Sequence, residues 1–184
     1  VRVVIYHIGR DLSGVPTERI PAVPWYRRLS AGPSWQKPFL DILLLFKTLS
    51  VSRTFRPHLL HAHLHEGAFI AMMLRPLLRI PVIMDFQGSL TVECRDHGFF
   101  RAGSLLEGFF SAVERTVNRA ADIIITSSSS GAEQLSRDWG VAADRVLPVI
   151  DGVDTEQFRP YPRGEARRML AIPDSVPLVV FLGV

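Results

Sequence analysis

The chain has 184 residues, of which 47% are hydrophobic and 21% charged, a globular composition with enough apolar side chains for a core of ordinary domain size. Its formal net charge is only +3, and so small an excess of Lys and Arg argues against a nucleic-acid-binding protein. The single cysteine, Cys94, excludes an intrachain disulfide and agrees with a reducing compartment.

No targeting or membrane-spanning segment is predicted. Val1 begins a strand-like run without a long apolar region or a cleavage site, so no signal peptide is expected. The longest apolar run, Phe39–Phe46, is interrupted by Asp41 and is far shorter than the ~20 residues that span a bilayer. We therefore expect a cytoplasmic protein. Because Arg27, Arg28, Lys37 and Lys47 lie near this run, peripheral contact with the inner face of a membrane stays an open alternative to packing of the same face on the sheet.

Strands and helices are predicted to alternate along the chain. Apolar runs predict strands at Val1–Ile8, His58–Ala62, Ile80–Phe86, Ile123–Thr126, Arg145–Ile150 and Leu178–Leu182. Apolar faces predict helices at Phe39–Phe55, Glu66–Leu78, Ser104–Ala120, Gly131–Trp139 and Glu165–Leu170. The expected buried face of the third helix consists of Leu105, Phe109, Ala112, Val113 and Val117. This alternation predicts an α/β fold, a Rossmann-like parallel sheet with helices on both faces.

Prolines shape the segments between these elements. Pro16 limits the extended stretch Val15–Ile20 to a sheet edge or a loop. Four prolines in Pro21–Pro38 exclude regular helix throughout and predict a long loop whose aromatic residues are partly packed. Pro76 is expected to end the helix Glu66–Leu78 early.

A group of polar residues lies where the strand ending near Ala62 meets the next helix. Its members are His61, His63, His65, Glu66 and Gly67. Ligands bind at the carboxyl ends of strands in open α/β sheets, and a helix that begins there offers free N–H groups. Gly67 would let a ligand or another backbone approach closely. A structural role is expected for at least one histidine, with His61 packed in the sheet. Alternate histidines are also metal ligands in many proteins, but no cysteine or carboxylate pattern completes a metal site here.

A second polar group, Met84–Thr91, lies at the end of the next strand and includes Gln87 and Gly88. Glutamine donates and accepts hydrogen bonds but carries no proton at pH 7. Gln87 therefore suits the orientation of a ligand and does not suit general acid–base catalysis. The alternative is that Gln87 only ties down its own loop.

The polar segment Glu93–Gly98 is predicted to be a loop that either lines a substrate pocket or is simply solvated. Cys94 is next to Arg95, a neighbour that can lower the pKa of a thiol. No cysteine-protease signature surrounds this thiol. Asp96 with His97 is too common a pair to indicate a catalytic dyad.

Hydroxyl groups cluster at Thr126–Ser130, again at the end of a strand. Ser130 is predicted to cap the following helix, with Glu133 placed for a capping box. The alternative is contact of Ser127 or Ser128 with a sugar or a phosphate in the cleft.

The most specific pattern in the chain is Ala121–Pro160. An apolar strand runs into a Ser-rich helix start, and a second strand leads to the turn Asp151–Asp154 and to Phe158-Arg159-Pro160. This resembles the end of the N-terminal domain in retaining glycosyltransferases of the GT-B fold, family 4, which typically read AD…V…S…L…G…V…NGVD…F.P. The family usually has Asn where this chain has Asp151, a mild change because both residues suit a turn. The resemblance covers most of the chain and is strongest over His58–Pro160.

The resemblance implies the N-terminal half of a GT-B two-domain fold. Residues 1–160 would form an acceptor-side Rossmann-like domain that lacks its first strand and Gly-rich loop. Residues 161–184 would form a linker and the first strand of a truncated C-terminal nucleotide-sugar-binding domain. In the family that second domain supplies the glutamates and basic residues that hold the donor. The catalytic residues are therefore expected outside this chain, and this fragment alone is expected to be inactive.

The function implied by the resemblance is retaining transfer of a hexosyl group from a nucleotide sugar to a glycan, lipid-linked or small-molecule acceptor. The family usually needs no bound metal, and no cofactor is expected besides the nucleotide-diphosphate sugar as donor substrate. Family members often carry His-Ala-His near the acceptor, and a histidine near the donor sugar where this chain has Gln87. The implied substrate-binding residues are His63, His65, Glu66, Gly67, Gln87, Gly88, Ser127 and Ser128.

Two alternatives from other classes stay open on the sequence. One is a non-catalytic Rossmann-like binding module. The other is a different GT-B enzyme such as a sugar-nucleotide 2-epimerase, against which the region Asp151–Asp154 argues. A Rossmann dehydrogenase is disfavoured because no G-x-G-x-x-G opens a helix in the chain.

Overall fold

Six strands and seven helical segments are present in residues 1–11, 13–27 and 34–181, the part of the chain that the computed structural model describes. The strands are β1 (Val3–Ile5), β2 (Thr17–Arg19), β3 (Leu60–His63), β4 (Val82–Phe86), β5 (Ile123–Thr126) and β6 (Val146–Pro148). The helices are α1 (Lys37–Phe55), α2 (Leu64–Leu78), α3 (Leu90–Asp96), α4 (Leu105–Ala120), α5 (Ser129–Trp139), a 3-10 turn at Ala143–Arg145, and α6 (Arg163–Met169). They divide between two compact units, Val1–Ile150 and Asp151–Val184.

Two parallel sheets are found in the first unit. The larger has the order β3-β4-β5-β6, and β1 pairs with β2 in the smaller. The predicted α/β class with parallel strands is thereby confirmed. Within the described ranges β2 pairs only with β1, so the stretch after Pro16 is an edge strand, as expected.

The core of the first unit lies against one face of the larger sheet. Val82, Met84 and Phe86 of β4 are at most 2% exposed, because alternate side chains of a strand point to the same face. They pack with Ile124 of β5 and Leu135 of α5. Parallel packing of this kind brings the carboxyl ends of β3, β4 and β5 together with the starts of the helices that follow them.

Helix α1 packs its inner side on the smaller sheet, where Leu40 is fully buried. On its outer side Phe39, Ile42 and Phe46 stay 47–63% exposed. The two flanking cations are both ion-paired, Lys37 with Glu66 and Lys47 with Glu18, each at 2.7 Å. Two of the four cations near this run are therefore already partnered, and Arg28 lies outside the described residues. No helix in the described ranges has the length and apolarity needed to cross a bilayer.

Aromatic side chains anchor the described part of the proline-rich segment. Tyr26 is buried, the ring of Trp25 lies 5.4 Å from that of Phe39, and the ring of Trp35 lies 4.5 Å from that of Phe99. Partial packing of these aromatics is thus confirmed. Residues 28–33 of the predicted loop lie outside the described residues.

The prediction of a loop at Glu93–Gly98 was wrong for most of its length, because helix α3 runs to Asp96. The Ser89 side chain caps α3 by accepting a hydrogen bond from the Val92 N–H. Only Thr91 and Cys94 of this short helix are buried. They lie three residues apart and so share one helical face, a signal that the polar composition hid.

The predicted buried face of α4 was also wrong at its start. Leu105 is 96% exposed and Phe109 62% exposed, whereas Glu114 and Asn118 are fully buried. Of the predicted face, Val117 is buried in the core and Val113 packs against it partly buried. Apolar periodicity missed Glu114 because a polar side chain can take a core position when it is hydrogen-bonded there, as Glu114 is with Ser89 and Thr91. The buried side-chain atoms of Asn118 have no hydrogen-bond partner in the described residues.

Two further expectations were wrong. Pro76 does not end α2, which continues to Leu78 and closes with Arg79 in the left-handed conformation. A proline in the last turn removes one backbone donor, but the residues after it can stay helical.

No strand forms over residues 178–181, and Leu182 lies outside the described residues. A strand needs a pairing partner, and the described residues of the second unit form no other strand.

Candidate functional site

The carboxyl ends of β3, β4 and β5 lie side by side and carry most of the residues selected from the sequence. The parallel register places His63 opposite Asp85 and Phe86 opposite Thr126. Gln87 and Ser127 directly follow two of these strand ends. Ligands bind at this edge in open α/β sheets, so we take it as the candidate site and call it the carboxyl edge.

A hydrogen-bonded triad joins two strands of the carboxyl edge. His63 Nδ1 lies 2.8 Å from Asp85 Oδ2, and Gln87 Nε2 donates to the same oxygen at 3.1 Å. The His63 side chain is 65% exposed and that of Asp85 only 18%. His63 and Gln87 therefore face solvent, while Asp85 lies behind them. Asp85 was not selected from the sequence, although a single carboxylate at the end of the apolar strand β4 was a visible signal.

His61 is not the histidine packed in the sheet, contrary to expectation. Strand alternation sends Ala62 into the core and leaves His61 and His63 exposed on the other face. Their ring centroids are 4.6 Å apart. Burial, and then the neighbouring His63 ring, hold the pKa of His61 below its ordinary value, which favours the neutral ring at this edge.

The structural histidine is His65, which is 6% exposed. Its Nε2 lies 3.4 Å from Glu114 Oε1, and neither atom has a well-aligned hydrogen-bond partner in the described residues. Glu114 Oε2 accepts hydrogen bonds from the Ser89 hydroxyl at 3.0 Å, the Thr91 hydroxyl at 2.6 Å and the Thr91 N–H at 2.9 Å. Glu114 thereby ties α4 to the turn that follows Gln87. The sequence could have indicated its burial, because Glu114 precedes Val117 by three residues and so lies on the core-facing side of α4.

Glu66 lies in the first turn of α2 and forms an ion pair with Lys37 at the start of α1, at 2.7 Å. Burial alone would raise the pKa of Glu66, but the hydrogen bond and charge of Lys37 outweigh it and hold this pKa below its usual range. The pair joins the start of α1 to the start of α2. Lys37 was not selected as a site residue, because no local pattern links residues 29 positions apart.

The two selected glycines have different surroundings. A Cβ on Gly67 would meet the Ala62 backbone at 3.6 Å, so Gly67 serves the approach of α2 to β3. Gly88 is exposed, has φ +157° and has open space where a Cβ would lie.

Leu64, at the junction of β3 and α2, has φ +60°, an uncommon backbone conformation for a residue with a side chain.

The serine cap of α5 is Ser128 rather than the predicted Ser130. The Ser128 side chain accepts a hydrogen bond from the Gly131 N–H at 3.1 Å, which leaves Glu133 two residues too late for a capping box. The helix starts earlier than predicted because Ser128 keeps an extended backbone while Ser129 is already helical. Ser127 is half-buried at the end of β5, between the cap and the carboxyl edge.

Cys94 lacks the lowered thiol pKa considered from its Arg95 neighbour. Burial, together with the nearby Glu93 carboxylate, raises the pKa of Cys94 to about 11. The side chain is only 1% exposed and points into the fold on α3. No group of three or more His, Cys, Asp or Glu side chains in the described ranges could hold a metal ion.

We expect Cys94 to resist thiol reagents in the folded chain. At pH 8 roughly one such thiol in a thousand is ionised, and burial blocks access as well. Labelling by a disulfide reagent should therefore be at least about 100-fold slower in buffer than in denaturant. The denatured chain, which should release one equivalent of chromophore, is the control; labelling at equal rates in both conditions would contradict this account.

The sequence of the chain matches a family model and several curated proteins. The family model described as a glycosyl transferase 4-like domain matches residues 1–152. The chain is 27% identical over 175 residues to sulfoquinovosyl transferase SQD2 of Arabidopsis thaliana, covering 92% of this chain and 33% of that protein. It is 39% identical over 72 residues to D-inositol 3-phosphate glycosyltransferase 1 of Catenulispora acidiphila, covering 39% of this chain and 17% of that protein. The chain thus spans a third or less of the length of these relatives.

Solved structures share the fold at low sequence identity. Sucrose-phosphate synthase of Thermosynechococcus elongatus superposes with a TM-score of 0.65 at 19% identity, over 88% of this chain and 38% of that one. Anabaena HepE in complex with UDP gives a TM-score of 0.55 at 14% identity, over 85% of this chain and 37% of that one.

Proposed function

The chain belongs to the family of glycosyl transferase 4-like domains, and on that premise we propose that it is the acceptor-side part of a retaining glycosyltransferase. The enzyme would move a hexosyl group from a nucleotide sugar to an acceptor hydroxyl. The observation that carries this proposal is the match to the family over residues 1–152, the part of the chain that holds the whole carboxyl edge.

The charges at the carboxyl edge indicate which part of the reaction it serves. Its carboxylates are Asp85 and Glu66, and Lys37 is already paired with Glu66. Transfer from a nucleotide sugar requires positive groups that stabilise the departing diphosphate. The described edge offers neutral and negative groups instead, so it suits a sugar or an acceptor hydroxyl. We assign the diphosphate to a second, nucleotide-binding domain that would close over this edge.

Individual side chains take roles that match their chemistry. His63 and Gln87 face solvent at the strand ends and would hydrogen-bond hydroxyl groups of the bound sugar or acceptor. Glu66, held by Lys37, would orient an acceptor at the start of α2. Ser127 would contribute a hydroxyl at the end of β5. His65, Gly67 and Ser128 support the site through packing and capping, and no metal or further cofactor is assigned.

The relatives narrow the substrate class to be tested first. HepE has been solved with UDP and with UDP-glucose, and the curated relatives include transferases named for sulfoquinovose and for D-inositol 3-phosphate. We therefore propose a nucleoside-diphosphate sugar, with UDP-glucose as first candidate, as donor. A polyol, glycan or lipid-linked hydroxyl would be the acceptor.

The decisive test is an assay of the full-length protein that contains this chain. Release of UDP from UDP-glucose would be measured with and without a panel of polyol and lipid-linked acceptors, and product configuration would be read from the anomeric proton coupling. Acceptor-dependent release with an α-linked product is expected from the α-linked donor. A β-linked product would contradict retention, and no turnover of any nucleotide sugar in the panel would contradict the transferase assignment.

Residues 1–184 by themselves are expected to turn over no nucleotide sugar. The groups that hold the diphosphate are assigned to another domain, and a donor without them is neither oriented nor activated. The same UDP-release assay, run on this segment beside the full-length protein at equal concentration, checks this expectation. Turnover by the segment would show that the carboxyl edge holds a complete active site.

A further inference from the structure

We propose that Asp85 is a positioning residue that sets the hydrogen-bonding direction of His63 and Gln87, so that the site accepts hydroxyl hydrogens from a neutral sugar. The geometric part of this inference depends only on the three side chains of the triad. The identity of the ligand as a sugar rests on the proposed function. The expected ligand class is therefore a polyol, and an oxyanion is disfavoured.

The first step concerns His63. Asp85 Oδ2 lies 2.8 Å from His63 Nδ1, and a carboxylate can only accept a hydrogen bond. Nδ1 must therefore carry the proton. In the neutral ring the proton cannot also sit on Nε2, so Nε2 is left with a free lone pair. The direct cross-strand pairing of His63 with Asp85 makes this contact a property of the sheet register.

The second step concerns Gln87. Its Nε2 donates to the same Asp85 oxygen at 3.1 Å, and a carboxylate oxygen would repel the amide oxygen in that position. The amide orientation is therefore determined, and Oε1 is directed away from Asp85. A glutamine held in this way offers its amide oxygen as an acceptor and its second amide N–H as a donor, and it carries no charge. It cannot act as a protonated histidine would at this position.

Together these steps define the chemistry of the free surface. In the neutral ring His63 Nε2 is an acceptor, as is Gln87 Oε1, and both side chains are exposed. The negative charge of Asp85 lies just behind them, with its side chain 18% exposed. Among these groups a phosphate oxygen could accept only from the second Gln87 N–H and would meet two acceptors and a carboxylate, whereas a hydroxyl group can donate to either acceptor and accept from that N–H. Asp85 acts through its neighbours, and for that reason it is a positioning residue.

The tautomer of His63 tests the geometric part directly. Long-range 15N–1H NMR of histidine-labelled full-length protein distinguishes the Nδ1–H form from the Nε2–H form, and His63→Gln identifies the signal of His63. The wild type should show His63 protonated on Nδ1. Asp85→Ala should shift it towards the Nε2–H form, and Asp85→Asn, whose amide has one acceptor oxygen, should lie between. Asp96→Ala, which removes a carboxylate with 66% side-chain exposure, should change nothing.

Ligand titrations test the second part with defined probes. myo-Inositol is the neutral polyol and inorganic pyrophosphate is the oxyanion. The polyol should perturb the His63 signal and the Gln87 side-chain amide in the wild type, and the perturbation should be lost in Asp85→Ala. Pyrophosphate, which we assign to the second domain, should cause no change in either signal that is lost in Asp85→Ala. A response to pyrophosphate alone, or no response to the polyol, would overturn the assignment of the ligand class.

The outcomes separate this inference from the proposed function. A wild-type His63 in the Nε2–H form overturns the inference whatever the enzyme does. The Nδ1–H form and a polyol response in a protein without transferase activity would support the inference and refute the proposed function. A merely structural role of Asp85 would lower the stability of Asp85→Ala without moving the His63 tautomer, so that result would also overturn the inference.

Discussion

Replacing Glu114 by alanine is expected to destabilise the first unit by about 3–5 kcal/mol, because several buried donors lose their acceptor and each unsatisfied one costs about 1–3 kcal/mol. The side chain is fully buried, and its loss leaves the hydroxyls of Ser89 and Thr91, the Thr91 N–H and the His65 ring without their acceptor. The Ser89 cap of α3 would lose its anchor as well. Urea unfolding followed by circular dichroism measures the change.

The variant Glu114→Gln distinguishes the effect of the carboxylate charge from that of the side-chain shape. It keeps one acceptor oxygen, so Glu114→Gln should cost about 1–3 kcal/mol. Glu133→Ala, an exposed site on α5, should change stability by no more than about 0.5 kcal/mol. Equal stabilities of the wild type and Glu114→Ala would show that the buried hydrogen bonds contribute nothing net.

The effect of Glu114 should depend on pH in a defined direction. Burial alone would raise its pKa, but the neighbouring His65 ring and the hydrogen bonds from Thr91 outweigh burial and hold the pKa of Glu114 below its ordinary value. A carboxyl whose pKa is lower in the folded than in the unfolded state contributes stability above the unfolded pKa and loses it as pH falls through the folded pKa. The stability gap between wild type and Glu114→Gln should therefore be constant above about pH 5 and narrow below about pH 4.3.

Replacing Gly131 by alanine is expected to destabilise the chain by about 1–3 kcal/mol, the usual cost of overpacking a filled site. A Cβ at this position would lie 2.5 Å from Thr126 Oγ1 and 3.1 Å from Ser128 Oγ. Thr126 is 2% exposed at the end of β5, and its short β-branched side chain cannot move aside. The helix start and the Ser128 cap must shift instead, which should also displace Ser127 at the carboxyl edge.

Gly108 provides a matched control in the same unit. It lies inside α4, and nothing is within 4 Å of where its Cβ would be. Gly108→Ala should stabilise the chain by about 0.5–1 kcal/mol, because alanine is the better helix former. Thermal and urea unfolding of the two variants should therefore move in opposite directions. A stabilising Gly131→Ala would show that the junction of β5 and α5 has more room than the structure gives it.

The elements that could be predicted are those whose signal is local. β5 was predicted with its observed bounds, because an apolar run of four residues is flanked by Asp122 and the serines. Helix α3 was missed because only two of its residues are buried. A contact with α4 through Glu114, rather than an apolar stripe, holds this helix in place.

The candidate site was predictable in position and less so in its members. His63 and Gln87 were selected because each follows or ends a predicted strand, where parallel sheets place ligands. Asp85 and Lys37 were not, since their roles depend on partners on other elements. His65 rather than His61 is the buried histidine, because the side that each faces is decided by the register of β3 and the start of α2.

By itself the sequence determined the α/β class, the parallel sheet and the edge at which polar residues collect. Each of these follows from apolar runs and from the polar, Gly and Pro residues that end them. Such signals act within a few positions along the chain. Only the tertiary structure decided that Asp85 joins His63 to Gln87 and that Glu114 is a core residue. Those facts depend on strand register and on side chains more than 20 residues apart, where burial removes the competing water and makes a single hydrogen-bonding arrangement the stable one.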